Sequence, residues 1–361
     1  MDSFRLYDTW FAPLAQLSPD DCQSRIRNLT WLIVGLYRAM SVHLSAIVGK
    51  WPMGAKNPSL VRRLERFLDN PAIRVRDWYE PLARQWLVEA ASSLGEIRLI
   101  VDATKVGFGH QLLIVCLAYR RRAVPLAWTW VPYRRGRSTA LVQLALLRSV
   151  HALKPAGVRV VLVGDSEFGS VAIIRQLRGW RWGYVLRQKG SHYVRCQGSR
   201  HWQPFSQLLS RPGQSVWWAH GFLTRQWRSP TGLLAYWAKG EREPWLLATN
   251  LPDARTARRA YGRRMWIDEM FGDFKGHGCD LEATHLRHFM RLSRLTLAVC
   301  LLYTWLLQVG RAVIRAGQRQ LVDRRDRRDL SVPRIGHATI DKWLVLNLPI
   351  KLIPSLPLSG S

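Results

Sequence analysis

The sequence predicts an α/β protein: a mixed sheet flanked by helices, with a helical N-terminal region and a β-rich insertion. Three observations carry that expectation. The apolar pattern changes near residue 95 from three-to-four spacing to short continuous runs. Between residues 97 and 190 those runs alternate with amphipathic stretches in the order β-β-β-α-β-α-β. Two of the runs end in an aspartate, Asp102 and Asp165, and a charged stretch, YGRRMWIDEMFGDFK (261–275), follows late in the chain.

Residues 1–95 read as helices. WLIVGLYRAMSVHLSAIVG (31–49) has helical spacing, Trp51-Pro52-Met53-Gly54 breaks it, and VRRLERFLDN (61–70) is a short basic helix stopped by Pro71. Arg62, Arg63 and Arg66 suit DNA phosphates, and equally a solvated helix face. IRLIVDAT (97–104), HQLLIVCLAY (110–119) and RAVPLAWTWV (122–131) read as three strands of an antiparallel meander. STALVQLALLRSVH (138–151) is a helix with Ser138 as its N-cap, VRVVLVGD (158–165) a strand buried on both faces, SVAIIRQLRGW (170–180) a helix and WGYVLRQKG (182–190) a strand.

These form the first part of a core, 96–190. Residues 191–244 are rich in Trp, Gly, Ser, Arg and Gln and read as the insertion, with strands near 215–222 and 231–240. The core resumes over 245–310 with a strand at WLLATN (245–250), a helix begun by Pro252-Asp253 and stopped at Gly276-His277-Gly278, and a long helix over 281–310. Residues 311–361 are a basic tail, highly charged over 319–330, and its Pro- and Ser-containing end is expected to be peripheral.

Composition narrows the partners. Lys+Arg 54 against Asp+Glu 25 gives a net charge of +29, a field that favours a polyanion, nucleic acid before membrane. The 5 cysteines are scattered without a CxxC pair, which argues against a disulfide framework or zinc site and for a reducing cytoplasm. The start MDSFRLYDTWF lacks the pattern of a signal peptide. The longest apolar run, 295–309, is short for a membrane span of roughly 20 residues and reads as a buried helix.

In a helix, Tyr261, Arg264, Asp268 and Lys275 share one face. A carboxylate there among cationic and aromatic groups suits metal and phosphate, and the same pattern fits a solvated surface helix. Asp102 and Asp165 each have a bland reading as strand-end residues. Together they weigh more, because a carboxylate ending a buried strand is costly unless paired or bound to a cation.

Acids on strand one, strand four and a late helix are the layout of a ribonuclease H-like nuclease. Such sites need two divalent metals about 3.5–4 Å apart, held by carboxylates. Magnesium suits all-oxygen ligands, with manganese as the substitute. Over roughly residues 97–310 the chain resembles the DDE transposases of bacterial insertion sequences. It looks like the group with a Tyr-x2-Arg-x3-Glu-x6-Lys signature, insertion-sequence "family 4". VDAT supplies Asp102, GDSEFG supplies Asp165 with its Phe168-Gly169 turn, and Tyr261, Arg264 and Lys275 stand at signature positions.

The resemblance implies a DNA transposase that cuts transposon ends and joins them to target DNA by two-metal phosphoryl transfer. Asp102, Asp165 and a third acid would be the catalytic metal ligands, and Tyr261, Arg264 and Lys275 would hold phosphates of the end. It further implies terminal inverted repeats and target DNA as partners, a homodimer that joins two ends, and a bacterial cytoplasmic, nucleoid-associated location. The sequence departs from the signature at the third acid: Asp268 stands where glutamate is expected, and Glu269 follows it. Register with Lys275 favours Asp268, since Glu269 is rotated by about 100°; Glu269 is the alternative. Trp217, Trp218 and Trp237 of the insertion suit stacking on an unpaired base as well as packing. Competing functions are an inactive, DNA-binding derivative and a nuclease without strand transfer.

Overall fold

The computed structural model describes residues 2–107, 109–132, 138–276, 278–326 and 328–352. Helices α1 (Asp2–Leu17), α2 (Gln23–Ala39), α3 (Leu44–Val48), α4 (Asn57–Asp69) and α5 (Val75–Leu94) precede the first strand. The single helix expected over 31–49 is divided. Met40 takes a left-handed conformation (φ 48°) and its N–H closes on the Leu36 carbonyl, which ends α2 before α3 begins. Gly95, also left-handed (φ 69°), ends α5 directly before the sheet.

Strands β1 (Glu96–Val106), β2 (His110–Tyr119) and β3 (Arg122–Pro132) form the antiparallel meander. Next come α6 (Ala140–Leu153), β4 (Arg159–Gly164), α7 (Val171–Gly179) and β5 (Gly183–Arg187). The insertion supplies β6 (Tyr193–Cys196), β7 (Gln203–Pro204), β8 (Ser215–Leu223) and β9 (Ser229–Tyr236), and β10 (Trp245–Thr249) returns to the core. All ten lie in one sheet, in the order β3-β2-β1-β4-β5-β10-β9-β8-β6-β7. β1, β4 and β5 pair in parallel and the other pairings are antiparallel. The fold is the expected ribonuclease H-like mixed sheet flanked by helices. What the sequence did not reveal is that the insertion prolongs that same sheet: β10 pairs with β5 on one side and β9 on the other.

After β10 come α8 (Ala254–Gly262), a 3-10 turn (Arg263–Met265), α9 (Trp266–Phe274), α10 (Phe289–Arg315) and α11 (Val332–Val345). The long helix therefore starts eight residues later than the expected 281 and runs past 310. α10 is long and apolar enough to cross a membrane by length and composition, yet 83% of its most apolar window is buried inside the protein. It packs against α2, α4, α5, α9, α11 and β3. Its buried Arg294 donates to the carbonyls of Leu68 (2.6 Å) and Ile73 (3.0 Å), so the cation satisfies carbonyls at and beyond the end of α4.

The C-terminal segment is not merely peripheral. α11 buries Val332, Ile335, Ile340 and Leu344, and crosses α10 at two glycines. A Cβ on Gly336 would lie 2.0 Å from the Leu306 carbonyl oxygen, and one on Gly310 2.0 Å from that of Val332. Gly336→Ala should therefore cost about 3 kcal/mol, because backbone on both sides must move. Chemical denaturation of variant and parent measures this directly; an unchanged midpoint would mean that the helices separate freely.

Candidate active site

The parallel pairing of β1 with β4 ends at Val101 opposite Gly164. The next residue on each strand is an aspartate, Asp102 and Asp165. Adjacent strands lie roughly 4.8 Å apart, so the register alone brings the two carboxylates together. The turn after β4 is built for close packing. Asp165 Oδ1 accepts the Glu167 N–H at 2.8 Å, and the Phe168 N–H donates to the Asp165 carbonyl at 3.2 Å. The Phe168 ring is fully buried. Gly169 then passes so near β5 that a Cβ would lie 2.4 Å from the Arg187 carbonyl oxygen.

Glu167 braces this turn. Its carboxylate accepts from Gln111 Nε2 (3.0 Å), the Ser138 N–H (2.7 Å) and Ser138 Oγ (2.5 Å). Ser138 is thereby committed, and the N-cap of α6 is Thr139, which accepts the Val142 N–H. The spacing of these residues gives no sign of the link, since it spans β2, the start of α6 and the turn after β4.

The stretch 261–275 is not one continuous helix. The 3-10 turn at Arg263–Met265 separates α8 from α9. This turn directs Arg264 inward: Nη1 donates to Asp102 Oδ2 at 2.5 Å, and Nη2 reaches Asp268 Oδ2 at 3.5 Å. Asp102 is buried, whereas the Asp268 side chain is 46% exposed. Arg264 thus links Asp102 and Asp268, and Asp165 lies near enough for its charge to act on all three. Glu269 points elsewhere and pairs with Arg122 at the start of β3.

Tyr261 is buried, with its ring edge-on to Trp245 at 4.9 Å. Lys275 follows the last turn of α9, and its Nζ pairs with Glu282 at 2.7 Å. Four residues expected to share one helical face are therefore arranged differently: Tyr261 inside, Arg264 and Asp268 at the acids, Lys275 beyond them. His277 lies outside the described residues.

The electrostatics express a shortage of positive charge at the acids. Burial pushes the Asp102 carboxyl up to about 7; Arg264 opposes this, and Asp165 adds to it. Burial also raises Asp268, again opposed by Arg264 and aided by Asp165. Burial alone would lower the Arg264 pKa, but Asp102 and Asp268 reverse the sign and it rises. Burial raises the Tyr261 phenol, so it stays a proton donor. All-oxygen donors that hold a buried negative charge at this cost fit a hard divalent cation. Among the described residues no three acidic, histidine or cysteine side chains already form a cage for one; Arg264 supplies the charge that Asp102 and Asp268 share.

The insertion's tryptophans take the packing alternative. Trp217 and Trp218 on β8 are half-buried against the core, and Trp237 Nε1 donates to the Glu241 carbonyl at 2.9 Å. The exposed ring is Trp227 (51%), with Arg175 of α7 at 5.1 Å from its centroid. Both line a cavity of about 420 Å³ beside the Asp165 turn, with Lys189 and His192. Composition alone does not single out Trp227 among 18 tryptophans.

The family model described as "Transposase DDE domain" matches residues 94–305, from the end of α5 to the middle of α10. A cryo-EM structure of the piggyBac transposase synaptic complex with hairpin DNA is similar at 11% identity and a TM-score of 0.39, covering 97% of this chain and 83% of that one. A search of curated protein sequences finds no match.

Proposed function

Because this chain belongs to the family of transposase DDE domains, we propose that it cuts the ends of a transposable element and joins them to target DNA. The observation that carries this reading is that Arg264 links Asp102 and Asp268 while the β1–β4 register sets Asp165 beside Asp102, at the ends of two parallel strands and the start of α9. Asp102 and Asp165 would hold divalent magnesium, with Asp268 as the third ligand in preference to Glu269. Bound there, two such ions would supply the activation of the attacking oxygen and the neutralisation of the leaving one.

The chain's own residues then position DNA. Arg264, which pairs with Asp102 and Asp268, offers a planar fork suited to a phosphate. Tyr261 keeps its phenolic proton and can donate it in a hydrogen bond. Lys275 adds a point charge at the far end of α9, shared with Glu282. The signature positions support a place in the insertion-sequence group with the Tyr-x2-Arg-x3-Glu-x6-Lys motif, with Asp268 in the glutamate's place. Terminal inverted repeats would be the specific partner. A homodimer would bring two ends together, in a bacterial cytoplasm where the net charge of +29 favours the nucleoid.

The test uses DNA taken from the flanks of the gene. Purified protein with magnesium should nick the boundary of the inverted repeats and join the released 3′ ends to a target plasmid. Cleavage without joining would make the protein a nuclease, and binding without cleavage would make it an inactive derivative.

A further inference from the structure

A second group of charged residues lies at the opposite ends of β1 and β4. Glu96 is paired in register with Arg159, and its carboxylate is shared by Arg98 (2.6 Å) and Arg159 (3.7 Å). Arg263, in the 3-10 turn, packs beside them. Burial first, then the nearby Arg98 charge, lowers its pKa; Glu96 opposes them, and Arg259 of α8 lowers it further. Arg98 and Arg159 therefore share the Glu96 carboxylate, Arg263 lies within reach of its charge, and Arg259 adds a fourth positive charge beside Arg263. Arg263 and Arg259 have no ion-pair partner among the described residues. Arg98 and Arg263 are partly buried and Arg159 and Arg259 exposed, and like charges crowded in this way are held at a cost that a polyanion would relieve.

Their position gives the partner. Arg98 and Asp102 lie on the same face of β1, four residues and about 13 Å apart at roughly 3.3 Å per residue. That distance is about four base pairs at 3.4 Å each. Arg263 precedes the start of α9, and Lys275 lies past its end; Asp268 stands between them. A duplex whose scissile phosphate sits at the aspartates would thus meet Lys275 on one side and the arginine group on the other.

We propose that Arg98, Arg159, Arg259 and Arg263 bind the backbone of the DNA that flanks the element, on the far side of the cut from the terminal repeat. This rests on the transposase reading above. The flank differs at every insertion, so recognition there must be independent of sequence. Arginine contacts to phosphate, which carry no sequence information, meet that need.

Two duplexes test it by fluorescence anisotropy in EDTA, where cleavage is off. One carries the terminal repeat plus 12 base pairs of flank, and the other ends at the cleavage position. In Arg259→Ala/Arg263→Ala, binding to the flanked duplex should weaken about tenfold at 0.15 M salt. Its salt dependence should fall by about two in slope, at roughly 0.9 per lost phosphate contact. Binding to the truncated duplex should stay within about twofold, and Arg259→Lys/Arg263→Lys should restore most of the loss. Equal weakening on both duplexes, or none on either, overturns the proposal. Failure of the parent protein to prefer either repeat duplex over a random one would instead overturn the transposase reading. A melting curve for each variant separates lost contacts from lost folding.

Discussion

Asp268→Asn should lower strand cleavage by on the order of 10³-fold, and Glu269→Gln should leave it within about threefold. The two residues are neighbours, yet α9 turns them about 100° apart and the structure gives them different partners. Asp268 shares the Arg264 guanidinium with Asp102 and feels the charge of Asp165. Glu269 reaches Arg122 at the start of β3, and its side chain is 54% exposed. Removing one ligand charge from a two-metal site forfeits several kcal/mol of transition-state stabilisation, and each 1.36 kcal/mol is a tenfold loss in rate. Breaking an exposed ion pair costs about 1 kcal/mol at most, and that as stability. Gel assays on repeat-end DNA, with thermal melting of each variant, measure both. Loss of cleavage in Glu269→Gln alone would move the third ligand to Glu269 and refute the assignment of Asp268.

Asp102→Asn should make the metal-free protein more stable at pH 8 while abolishing its activity. The Asp102 carboxyl, ordinarily near 3.8, is raised to about 7 by burial. The folded chain therefore holds a proton that the unfolded chain has released. Its contribution to stability is fully present below about pH 4 and is lost as pH rises through 7. The span from 3.8 to about 7 is worth on the order of 4 kcal/mol at 1.36 kcal/mol per pH unit.

Asparagine keeps the shape and is neutral throughout, so the difference between variant and parent should grow from pH 4 to pH 8. The loss of the pair with Arg264 does not reverse this, because the raised value already includes that attraction. In EDTA the variant should melt several degrees higher at pH 8 and near the parent at pH 4. Magnesium should stabilise the parent alone, since only its site binds the ion. A difference that is flat with pH would show that Asp102 is ionised at no cost, and would remove the electrostatic argument for a cation there.

Much of the core is visible in local pattern. The runs at 97–104, 110–119 and 122–131 are strands because each is an apolar stretch bounded by turn residues, and they occur at β1, β2 and β3. VRVVLVGD lacks alternation because β4 is buried on both faces between β1 and β5. Asp102 and Asp165 stood out for the same reason: a charge at the end of such a run has to be accounted for. The helical pattern misled at 261–275, where a local 3-10 turn changes the direction of the side chains without altering the apolar spacing.

The sequence by itself determined the strand-helix order, the basic field, and the aspartates that end two buried strands, because these follow from period and composition. Only the tertiary structure decided which acids meet. The β1–β4 register places Asp102 beside Asp165, the turn before α9 carries Arg264 to Asp102, and Arg122 draws Glu269 away from Asp268. The clustering of Arg98 and Arg159 at Glu96, with Arg263 and Arg259 beside them, was equally hidden. Each of these contacts joins segments far apart in the chain, and a local pattern records a residue's own burial rather than the distant group that compensates its charge.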